Sequence, residues 1–597
     1  MKRIIISVLL LSLCSCNNLY ESSDSLINPI VDTSLNEFEN KYKLIEHETN
    51  IDIQNKSLAS LEASIINDAK VIPLNTSNKY VLTKIIKSNL NPIIINGLNY
   101  YKVKDSVVTK DIVNDTYYKQ IHNNCLNNNV TYNRFFKDNG IKLDDSYSIA
   151  FNDERIETLD LYDNKSKLQN EVLLQCQDGL LEIDIFGNIS SSLADRYDIS
   201  KDKLKYTFTI KDNIYFIDNN GNKYDKITAN NFVDGFKYML DKNKNVELFN
   251  SVNNISEYLD GKVTFEKVGI KAINDKTLEF SLSSYDSFFL YKIANNNLIP
   301  INVDFIKDKG INYANISSLS NMLYSGAYYP TLISEDKITL TINPYYYDNN
   351  ISIKTINYIN DDTNLVNKFK EGTYSEVEIK DISGIDNSLI VSRYTDSSIR
   401  YGLINTNRNS YEVYNINVKS NKTDKQKEDS IKALNNINFR KALISCINKD
   451  IFSDNNKKID NLTLYNNIIN INDEFMSYND YVNLLVKDPI NYNKDKAKEY
   501  LDKYIKETNS NEEIILDVLC YKNNKSMINK IETVKKDIEE TLKDGNVKIN
   551  IIYCDSTYDY YLAGHQKYKC YDLYFDFSVN CDYNNRNEYL KEIIKYI

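Results

Sequence analysis

The strongest constraint on the fold is the stretch Gly179–Lys242, in which a strand pattern, a turn and a helix pattern follow one another. Tyr206, Phe208 and Ile210 alternate with threonines, which is the period-2 pattern of a half-buried strand. The Asn-Gly-rich run at residues 219–222 predicts a turn after this strand. Strand and helix patterns lying so close together predict a mixed α/β protein.

The helix that follows this turn has a clear start and one apolar face. Thr228 is a candidate N-cap, because its hydroxyl can accept a hydrogen bond from the first turn. Phe232, Phe236 and Met239 then follow at helical spacing and predict a buried stripe. The pattern predicts an element of the fold and by itself indicates no function.

Length and charge limit the class of protein. At 597 residues the chain is too long for a single ordinary core and predicts two or more lobes. Its formal net charge of −11 argues against a nucleic-acid partner and leaves peptides, sugars and other small solutes open.

The N-terminus has the pattern of an export signal. Lys2 and Arg3 precede the apolar run 4–13, which is too short to span a bilayer as a helix and so predicts a signal-peptide core. The following Cys14-Ser15-Cys16 resembles a bacterial lipobox, with Cys16 as the expected site of lipidation because the small Ser15 precedes it. Cys14 stays open as the acceptor, and so does a plain signal peptide with incidental cysteines. A diacylated Cys16 would hold the protein on the outer face of a membrane.

The remaining cysteines and the histidines predict no metal site, no cofactor site and no disulfide framework. Seven cysteines follow Cys16 without C-x-x-C spacing, and the chain has only three histidines. We also find no G-x-S-x-G, H-E-x-x-H or P-loop motif, so we expect a protein that is not an enzyme.

The central stretch resembles family 5 of the bacterial extracytoplasmic solute-binding proteins, the oligopeptide receptors of ABC importers. The family usually has an acidic residue where Asn231 stands and a tryptophan where Tyr215 stands, but the order and spacing match. The segments that carry the resemblance here are Gly179-Leu180-Leu181, Leu193-Ala194-Asp195, residues 206–211, and Thr228-Ala229 before Phe232-Val233.

The resemblance continues in order toward the C-terminus. It includes a predicted hairpin at 267–282, and a turn at which Gly326 is expected to supply an unusual backbone dihedral angle. The charged stretch 408–430 is predicted to be a surface loop. The other matching segments are 298–301, 343–347, 438–450, Tyr571-Asp572-Leu573 and Asp582-Tyr583-Asn584.

The order of the segments is unusual, because residues near the N-terminus resemble the family's C-terminal end. Leu61-Glu62-Ala63 and Val71-Ile72-Pro73-Leu74 resemble the helix and strand that close the family's chain, whereas Thr158-Leu159-Asp160 resembles its opening. A circular permutation explains this best, because the two breakpoints complement each other. The competing explanation is a fused or truncated tandem gene that leaves residues 30–106 as a remnant.

The resemblance implies a two-lobed periplasmic-binding-protein-like fold of type II, peptide-binding cluster, with an extra subdomain and a permuted chain order. The expected divisions are 1–16 signal peptide; 17–35 tether; 36–106 the segment resembling the family's C-terminus, with helices of lobe two and then a strand of lobe one; 107–145 linker with a short helix near 117–125; 146–400 lobe one with the subdomain 179–300; and 401–597 lobe two.

The resemblance also implies a ligand site. Asp582 takes the place of the carboxylate that pairs with the peptide's α-ammonium group. The spacing from Asp572 to Asp582 is one residue longer than in the family, and Val579 stands near the position of the family's tryptophan. Lys167 is expected on the opposite wall of the cleft. The residues expected to line the strand beside Asp582 are Val579, Asn580, Cys581 and Tyr583.

The implied function is that of a receptor lipoprotein that captures short peptides and delivers them to an ABC permease and its ATPase. We expect a monomer, held extracytoplasmically by its lipid on the cell membrane or in the periplasm, with no nucleic-acid partner. Two alternatives stay open: a surface lipoprotein that keeps the fold for peptide sensing or adhesion, and a receptor for another small solute.

Overall fold

The computed structural model describes residues 36–597, apart from 49, 88–92, 96–97, 153, 164–165, 295, 409, 415, 454–456, 465–467, 472–473, 510–511 and 581–587. Its helices are α1 Glu37–Glu46, α2 Ile51–Asn67, α3 Asp115–Asn127, α4 Tyr132–Asp138, α5 Lys167–Cys176, α6 Ala229–Asp241, α7 Ile255–Leu259, α8 Phe289–Ala294, α9 Val303–Lys309, α10 Leu365–Lys370, α11 Asp424–Asn435, α12 Ile437–Ser445, α13 Tyr478–Leu485, α14 Lys494–Thr508, α15 Lys525–Thr541, α16 Thr557–Gly564 and α17 Glu588–Ile594.

The strands are β1 Val71–Thr83, β2 Ile85–Ile86, β3 Ile93–Ile95, β4 Leu98–Tyr100, β5 Val107–Val108, β6 Ser146–Phe151, β7 Leu181–Ile183, β8 Ile189–Ser191, β9 Ala194–Ile199, β10 Lys205–Ile210, β11 Tyr215–Ile217, β12 Lys223–Lys226, β13 Ile270–Asn274, β14 Thr277–Ser281, β15 Tyr328–Ile333, β16 Lys337–Ile342, β17 Thr355–Asn360, β18 Glu376–Ile379, β19 Val391–Ile404, β20 Glu412–Val413, β21 Val418–Lys419, β22 Lys457–Lys458, β23 Ile468–Ile471, β24 Glu474–Ser477, β25 Ile514–Tyr521, β26 Val547–Cys554 and β27 Leu573–Asn580.

One sheet runs through the molecule in the order β15-β16-β17-β6-β18-β1-β19-β27-β25-β26, with β22 also paired to β1. The long antiparallel strands β1 and β19 form its middle. The C-terminal half of β1 pairs with β18 on one side, and we call this side of the molecule lobe one. The C-terminal half of β19 pairs with β27, and we call that side lobe two. The mixed α/β class predicted from the sequence is confirmed.

The ladder between β1 and β19 is interrupted where the strands pass from one lobe to the other. Thr76 pairs with Ile399, but Asn78 pairs with Tyr394, so that one residue of β1 faces four residues of β19. Such a bulge bends a strand and locally weakens pairing. We call residues 76–78 and 394–399 the hinge.

Separate apolar cores support this division. In lobe one, a core beneath β6 and β15–β17 includes Tyr147, Leu340 and Ile356, all buried. In lobe two, α2 and α17 pack against β19 and β27 in one core. A second core there packs α12, α14 and α15 against β25 and β26.

A subdomain attached to lobe one has its own sheet, in the order β13-β14-β10-β9. Its core contains the predicted faces of β10 and α6, with Phe208, Phe232 and Phe236 fully buried. The side chain of Asn231 accepts a hydrogen bond from the backbone N–H of Thr228 at 2.8 Å, which fixes the start of α6. The strand, the helix and the hairpin β13–β14 are therefore confirmed.

The segment 107–145 is more ordered than the predicted linker. It contains α3 and α4, capped by the side chains of Asn114 and Thr131. Their buried face joins a core with Ile86 and Ile185, which lie elsewhere in the chain. Sequence patterning missed this core because Ile86 and Ile185 complete it from other parts of the chain.

The predicted surface loop at 408–430 is also wrong in part. Arg408 and Lys422 are buried and pair with Asp517 and Asp572 in lobe two. The Arg408 Nη1 atom lies 2.7 Å from Asp517 Oδ2 and 3.2 Å from Asp572 Oδ2. Charge alone predicted solvent exposure, but these two cations lie in the interior because two buried carboxylates neutralise them.

Gly326 has a different role from the one predicted. The φ angle of Gly326 does not lie in the left-handed region that favours glycine. Instead, a Cβ atom there would lie 2.6 Å from the carbonyl carbon of Cys176 and 2.7 Å from the amide nitrogen of Gln177. Glycine is required because the turn packs directly against the end of α5.

The N-terminal segment forms an integral part of both lobes. Helices α1 and α2 pack in lobe two, and β1 lies within the main sheet. The two described ends of the chain meet there, since the Lys591 ammonium group of α17 lies 3.6 Å from the Glu46 carboxylate of α1. Within residues 36–597, as far as they are described, no helix is both long and apolar enough to cross a membrane.

Candidate ligand-binding site

The carboxyl ends of three strands lie together at one edge of lobe two. Strand β25 is parallel to both β26 and β27, so their ends at Tyr521, Cys554 and Asn580 point the same way. In α/β sheets, ligands bind outside the carboxyl ends of the strands. This edge is therefore the first candidate for a ligand-binding wall.

Strand β27 extends beyond its parallel neighbour. Val518 of β25 is level with Leu573, so the last residue of β25, Tyr521, is level with Asp576. Residues 577–580 therefore run past the end of β25 and pair only with β19 among the described strands. Their other backbone edge is free of a described strand and can accept an added chain.

The side chains of this extension alternate between the core and the outside. Val579 is buried in the core of lobe two, whereas Ser578 and Asn580 are exposed. The Ser397 hydroxyl donates a hydrogen bond of 2.6 Å to Asn580 Oδ1, and the Tyr589 hydroxyl donates to the Ser397 carbonyl oxygen. The end of β27 is thus fixed beside the hinge.

Side-chain hydrogen bonds connect β1 and β19 at the hinge, where the backbone ladder is interrupted. The Thr76 hydroxyl donates to the Ser398 carbonyl oxygen at 2.6 Å, and the Asn78 amide donates to the Ser392 hydroxyl at 3.0 Å. The first contact gives a donor to a backbone carbonyl group in the broken ladder, and the second joins two side chains across the strands. They leave the two lobes joined by strands rather than by a packed apolar interface at this point.

The predicted site residues are only partly described. Val579 and Asn580 are neighbours on β27, whereas Lys167 is the exposed first residue of α5 in lobe one. Cys581, Asp582 and Tyr583 lie outside the described residues, as does Cys16.

Glu171, one turn after Lys167 on α5, is a residue that sequence reasoning missed. Burial raises the pKa of its carboxyl group, while the nearby cations Lys87 and Lys79 act in the opposite direction. Its i, i+4 spacing from Lys167 was the available signal, because that spacing places both side chains on one helix face.

Lys87 belongs to a buried charge network next to the hinge. Its ammonium group lies 2.9 Å from Glu376 Oε1, and Arg393 Nη2 lies 2.6 Å from Glu376 Oε2. Burial lowers the pKa of Lys87 to about 8, with Glu376 opposing the change. Burial raises the pKa of Glu376, but Arg393 and Lys87 outweigh it and lower the value to about 2. The network fixes the wall of lobe one at the start of β19.

Exposed tyrosines follow the carboxyl end of β26. Tyr558 and Tyr561 on α16 are 69% and 60% exposed, and Tyr553 at the end of β26 is 44% exposed. Large apolar rings at a strand edge are suited to holding ligand side chains. No sequence signal distinguishes these tyrosines, because tyrosine is abundant throughout the chain, with 48 residues.

The described residues contain no cluster of three or more His, Cys, Asp or Glu side chains that could hold a metal ion. Cys125, Cys176, Cys446, Cys520, Cys554 and Cys570 are buried free thiols.

Comparison with known proteins identifies the family. Residues 188–592 match the model of the bacterial extracellular solute-binding proteins, family 5 Middle, which is more than half of the chain. This chain belongs to that family. The family consists of solute-binding proteins found outside the cytoplasm, and its match begins after the N-terminal segment that supplies α1, α2 and β1.

Individual relatives are named as peptide-binding proteins. The oligopeptide-binding protein AmiA of Streptococcus pneumoniae is 29% identical over 435 residues, which are 66% of this chain and 65% of AmiA. The oligopeptide-binding protein SarA of Streptococcus gordonii is 28% identical over 460 residues, covering 70% of this chain and 68% of SarA. The match to AmiA thus spans just under two thirds of that relative.

Solved structures of similar proteins include Listeria monocytogenes OppA bound to peptide, with 20% identity and a TM-score of 0.41. The match covers 75% of this chain and 83% of that one. The unliganded open form of the periplasmic murein tripeptide-binding protein MppA has 16% identity and a TM-score of 0.49, covering 75% of this chain and 80% of that one.

Proposed function

We propose that this protein captures short peptides between its two lobes and delivers them to the permease and ATPase of an ABC importer. The observation that carries the proposal is the extension of β27, whose residues 577–580 have a backbone edge free of a described strand beside the hinge. A peptide can pair with such an edge as an added strand, which gives affinity without demanding a particular sequence. The names of the relatives AmiA and SarA support a peptide as the ligand.

Mass spectrometry of ligands that co-purify with the chain lacking residues 1–16 tests this function. We expect peptides, and we expect an added peptide pool to raise the melting temperature, since a ligand specific for the native state stabilises it. A shift with sugars or metal ions and none with any peptide pool would contradict the proposal.

Asp582 is proposed as the partner of the peptide's α-ammonium group, two residues after Asn580 on the chain. A carboxylate facing an ammonium group in a site drier than bulk water forms a charge-assisted hydrogen bond. Truncating one partner of such a pair costs about 2–5 kcal/mol, so Asp582→Asn should weaken peptides with a free N-terminus about tenfold or more. N-acetylated peptides should lose much less, and equal losses for both classes would exclude this role.

Lys167 and Glu171 are proposed to contribute from lobe one, and Tyr558 and Tyr561 from lobe two. Glu171 is half-buried and retains a raised pKa, as expected of a carboxyl group in a confined site. Peptide libraries that vary one position at a time test this, because Glu171→Gln should reduce any preference for cationic residues and Tyr558→Ala any preference for apolar ones.

Cys16 is proposed as the lipidated residue that anchors the mature chain outside the cytoplasm. The N-terminal run of apolar residues before Cys14-Ser15-Cys16 supports this. Intact-mass analysis of the membrane fraction should show a diacylated N-terminus at Cys16, and Cys16→Ser should release the chain. A lipid found on Cys14 would move the site by two residues.

We also propose that the chain is a circular permutant of its family. Two features support it: the described chain ends meet at the 3.6 Å contact between Lys591 and Glu46, and Val108 forms an antiparallel bridge with Asp144 across the segment that would join the older termini. A relinked gene that runs from 109 to 597, then through a short linker to 36–108, tests it and keeps α3 and α4 with their core. We expect this protein to fold and bind peptide as the natural order does, whereas the tandem-remnant explanation predicts an unfolded product.

A further inference from the structure

A contact between the lobes lies outside the candidate ligand-binding site. The corner between α1 and α2 belongs to lobe two, since Tyr42, Ile45 and Leu58 on either side of it lie in that lobe's core. Tyr285 belongs to the subdomain of lobe one, in the loop that follows β14. The Tyr285 hydroxyl donates a hydrogen bond of 2.8 Å to the Glu48 carbonyl oxygen at this corner.

An apolar contact accompanies this hydrogen bond. Ile51, the first residue of α2, is half-buried and packs against the core of the subdomain rather than against its own lobe's core. The Lys203 ammonium group lies 5.9 Å from the centre of the Tyr285 ring. Burial raises the pKa of the Tyr285 hydroxyl, and the Glu48 charge adds to this, so the group remains a donor at neutral pH.

This contact depends on the relative position of the lobes. The hinge links them through β1 and β19, whereas Tyr285 and Glu48 come from the subdomain and from the α1–α2 corner, neither of which belongs to the hinge strands. Opening at the hinge would separate Tyr285 and Ile51 from their partners without unfolding either lobe. A contact made in only one arrangement of two bodies shifts the equilibrium toward that arrangement.

We propose that Tyr285, the Glu48 carbonyl group and Ile51 form a clasp that stabilises the closed state, so that these residues set how long a bound ligand is held without touching it. The proposal rests on the proposed peptide-binding function for its effect on ligand, but the clasp itself can be tested without one. Because the clasp forms after the lobes meet, its loss should raise the dissociation rate and leave the association rate nearly unchanged.

The test uses the full-length chain purified in detergent, with Tyr285→Phe and Ile51→Ala. The first removes only the hydroxyl, and the second retains a residue with high helix propensity at the start of α2. Matched controls are Tyr224→Phe, on the subdomain and 51% exposed, and Ile53→Ala, on α2 and 47% exposed.

We expect peptide dissociation to be about three- to tenfold faster for each clasp variant, as for loss of one hydrogen bond or one partly buried apolar group. The controls should match the natural chain, and the melting temperature without ligand should stay the same in every variant. Dissociation rates equal to those of the controls would overturn the clasp. A lower melting temperature without ligand would also overturn it, if the general loss of stability accounts for the faster dissociation.

Small-angle X-ray scattering separates failure of the clasp from failure of the proposed function. If the natural chain binds no peptide, the function fails, and the clasp is then judged on the radius of gyration alone. The clasp requires the Tyr285→Phe/Ile51→Ala double variant to have a larger radius than the double control. Equal radii would overturn it.

Discussion

Lys102 offers a direct test of how the N-terminal segment is held in lobe one. Its ammonium group donates three hydrogen bonds, to the carbonyl oxygens of Leu174 and Gln177 at 2.9 Å each and to Asp178 Oδ1 at 2.6 Å. All three donors of the group are therefore used. The side chains of Lys102 and Asp178 are 3% and 1% exposed, so the pair is sheltered from water.

We predict that Lys102→Met lowers the free energy of unfolding by about 3–5 kcal/mol, the cost of removing one partner of a buried ion pair. Asp178 would keep only its hydrogen bond from the Tyr346 hydroxyl, at 2.6 Å, and two buried carbonyl groups would lose a donor. The double variant Lys102→Met/Asp178→Asn should recover part of the loss, because it leaves no unpaired charge.

Urea unfolding followed by tyrosine fluorescence measures this effect, since the chain contains no tryptophan. Two lobes need not unfold together, so hydrogen exchange at residues 98–108 should accompany it. The control is Lys237→Met, whose partner is Asp241 and whose side chain is 45% exposed; we expect a change of less than about 1 kcal/mol. A loss in Lys102→Met no larger than in this control would refute the reasoning.

Three further predictions concern buried groups. Burial raises the pKa of Glu62 to about 7, although the hydrogen bonds that its carboxylate accepts act to lower it. The folded state therefore holds a proton on this group more tightly than the unfolded chain does. Its contribution to stability should fall as pH rises from about 4.5 to about 7, and Glu62→Gln should flatten the urea midpoint over that range. Arg408→Met leaves Lys422 as the one described cation beside two buried carboxylates, Asp517 and Asp572, and should cost about 3–5 kcal/mol in urea unfolding; an unchanged midpoint would show that the cluster is solvated. Gly326→Ala should lower the melting temperature, because its Cβ would lie 2.6–2.7 Å from the backbone at the end of α5, and an unchanged value would show that the turn can move.

The elements that could be predicted from the sequence are those whose signal is local. Phe208, Phe232 and Phe236 lie in β10 and α6 as their spacing indicates, because both elements bury one regular face. Helices α3 and α4 could not be predicted as a packed unit, because Ile86 and Ile185 complete their core from other parts of the chain.

The buried charges and most of the candidate site depend on contacts between distant residues. Arg408 meets Asp517 across 109 positions of sequence, and no single-sequence pattern joins them. The family resemblance predicted that Val579 and Asn580 line the strand beside Asp582, and both residues lie on β27. The free edge of β27 follows from its register with β25, which depends on tertiary pairing.

The two strands of the hinge also mean that lobe one is a single uninterrupted run of chain. Every described residue between Asn78 and Tyr394 belongs to lobe one, its subdomain or the α3–α4 pair, and these two residues are partners in the ladder. Lobe one is therefore a cassette inserted into lobe two, with adjacent ends. During synthesis it can fold once residue 394 has emerged, whereas lobe two must wait for β27. The same adjacency allows the cassette to be exchanged between related proteins by joining the chain at two neighbouring points.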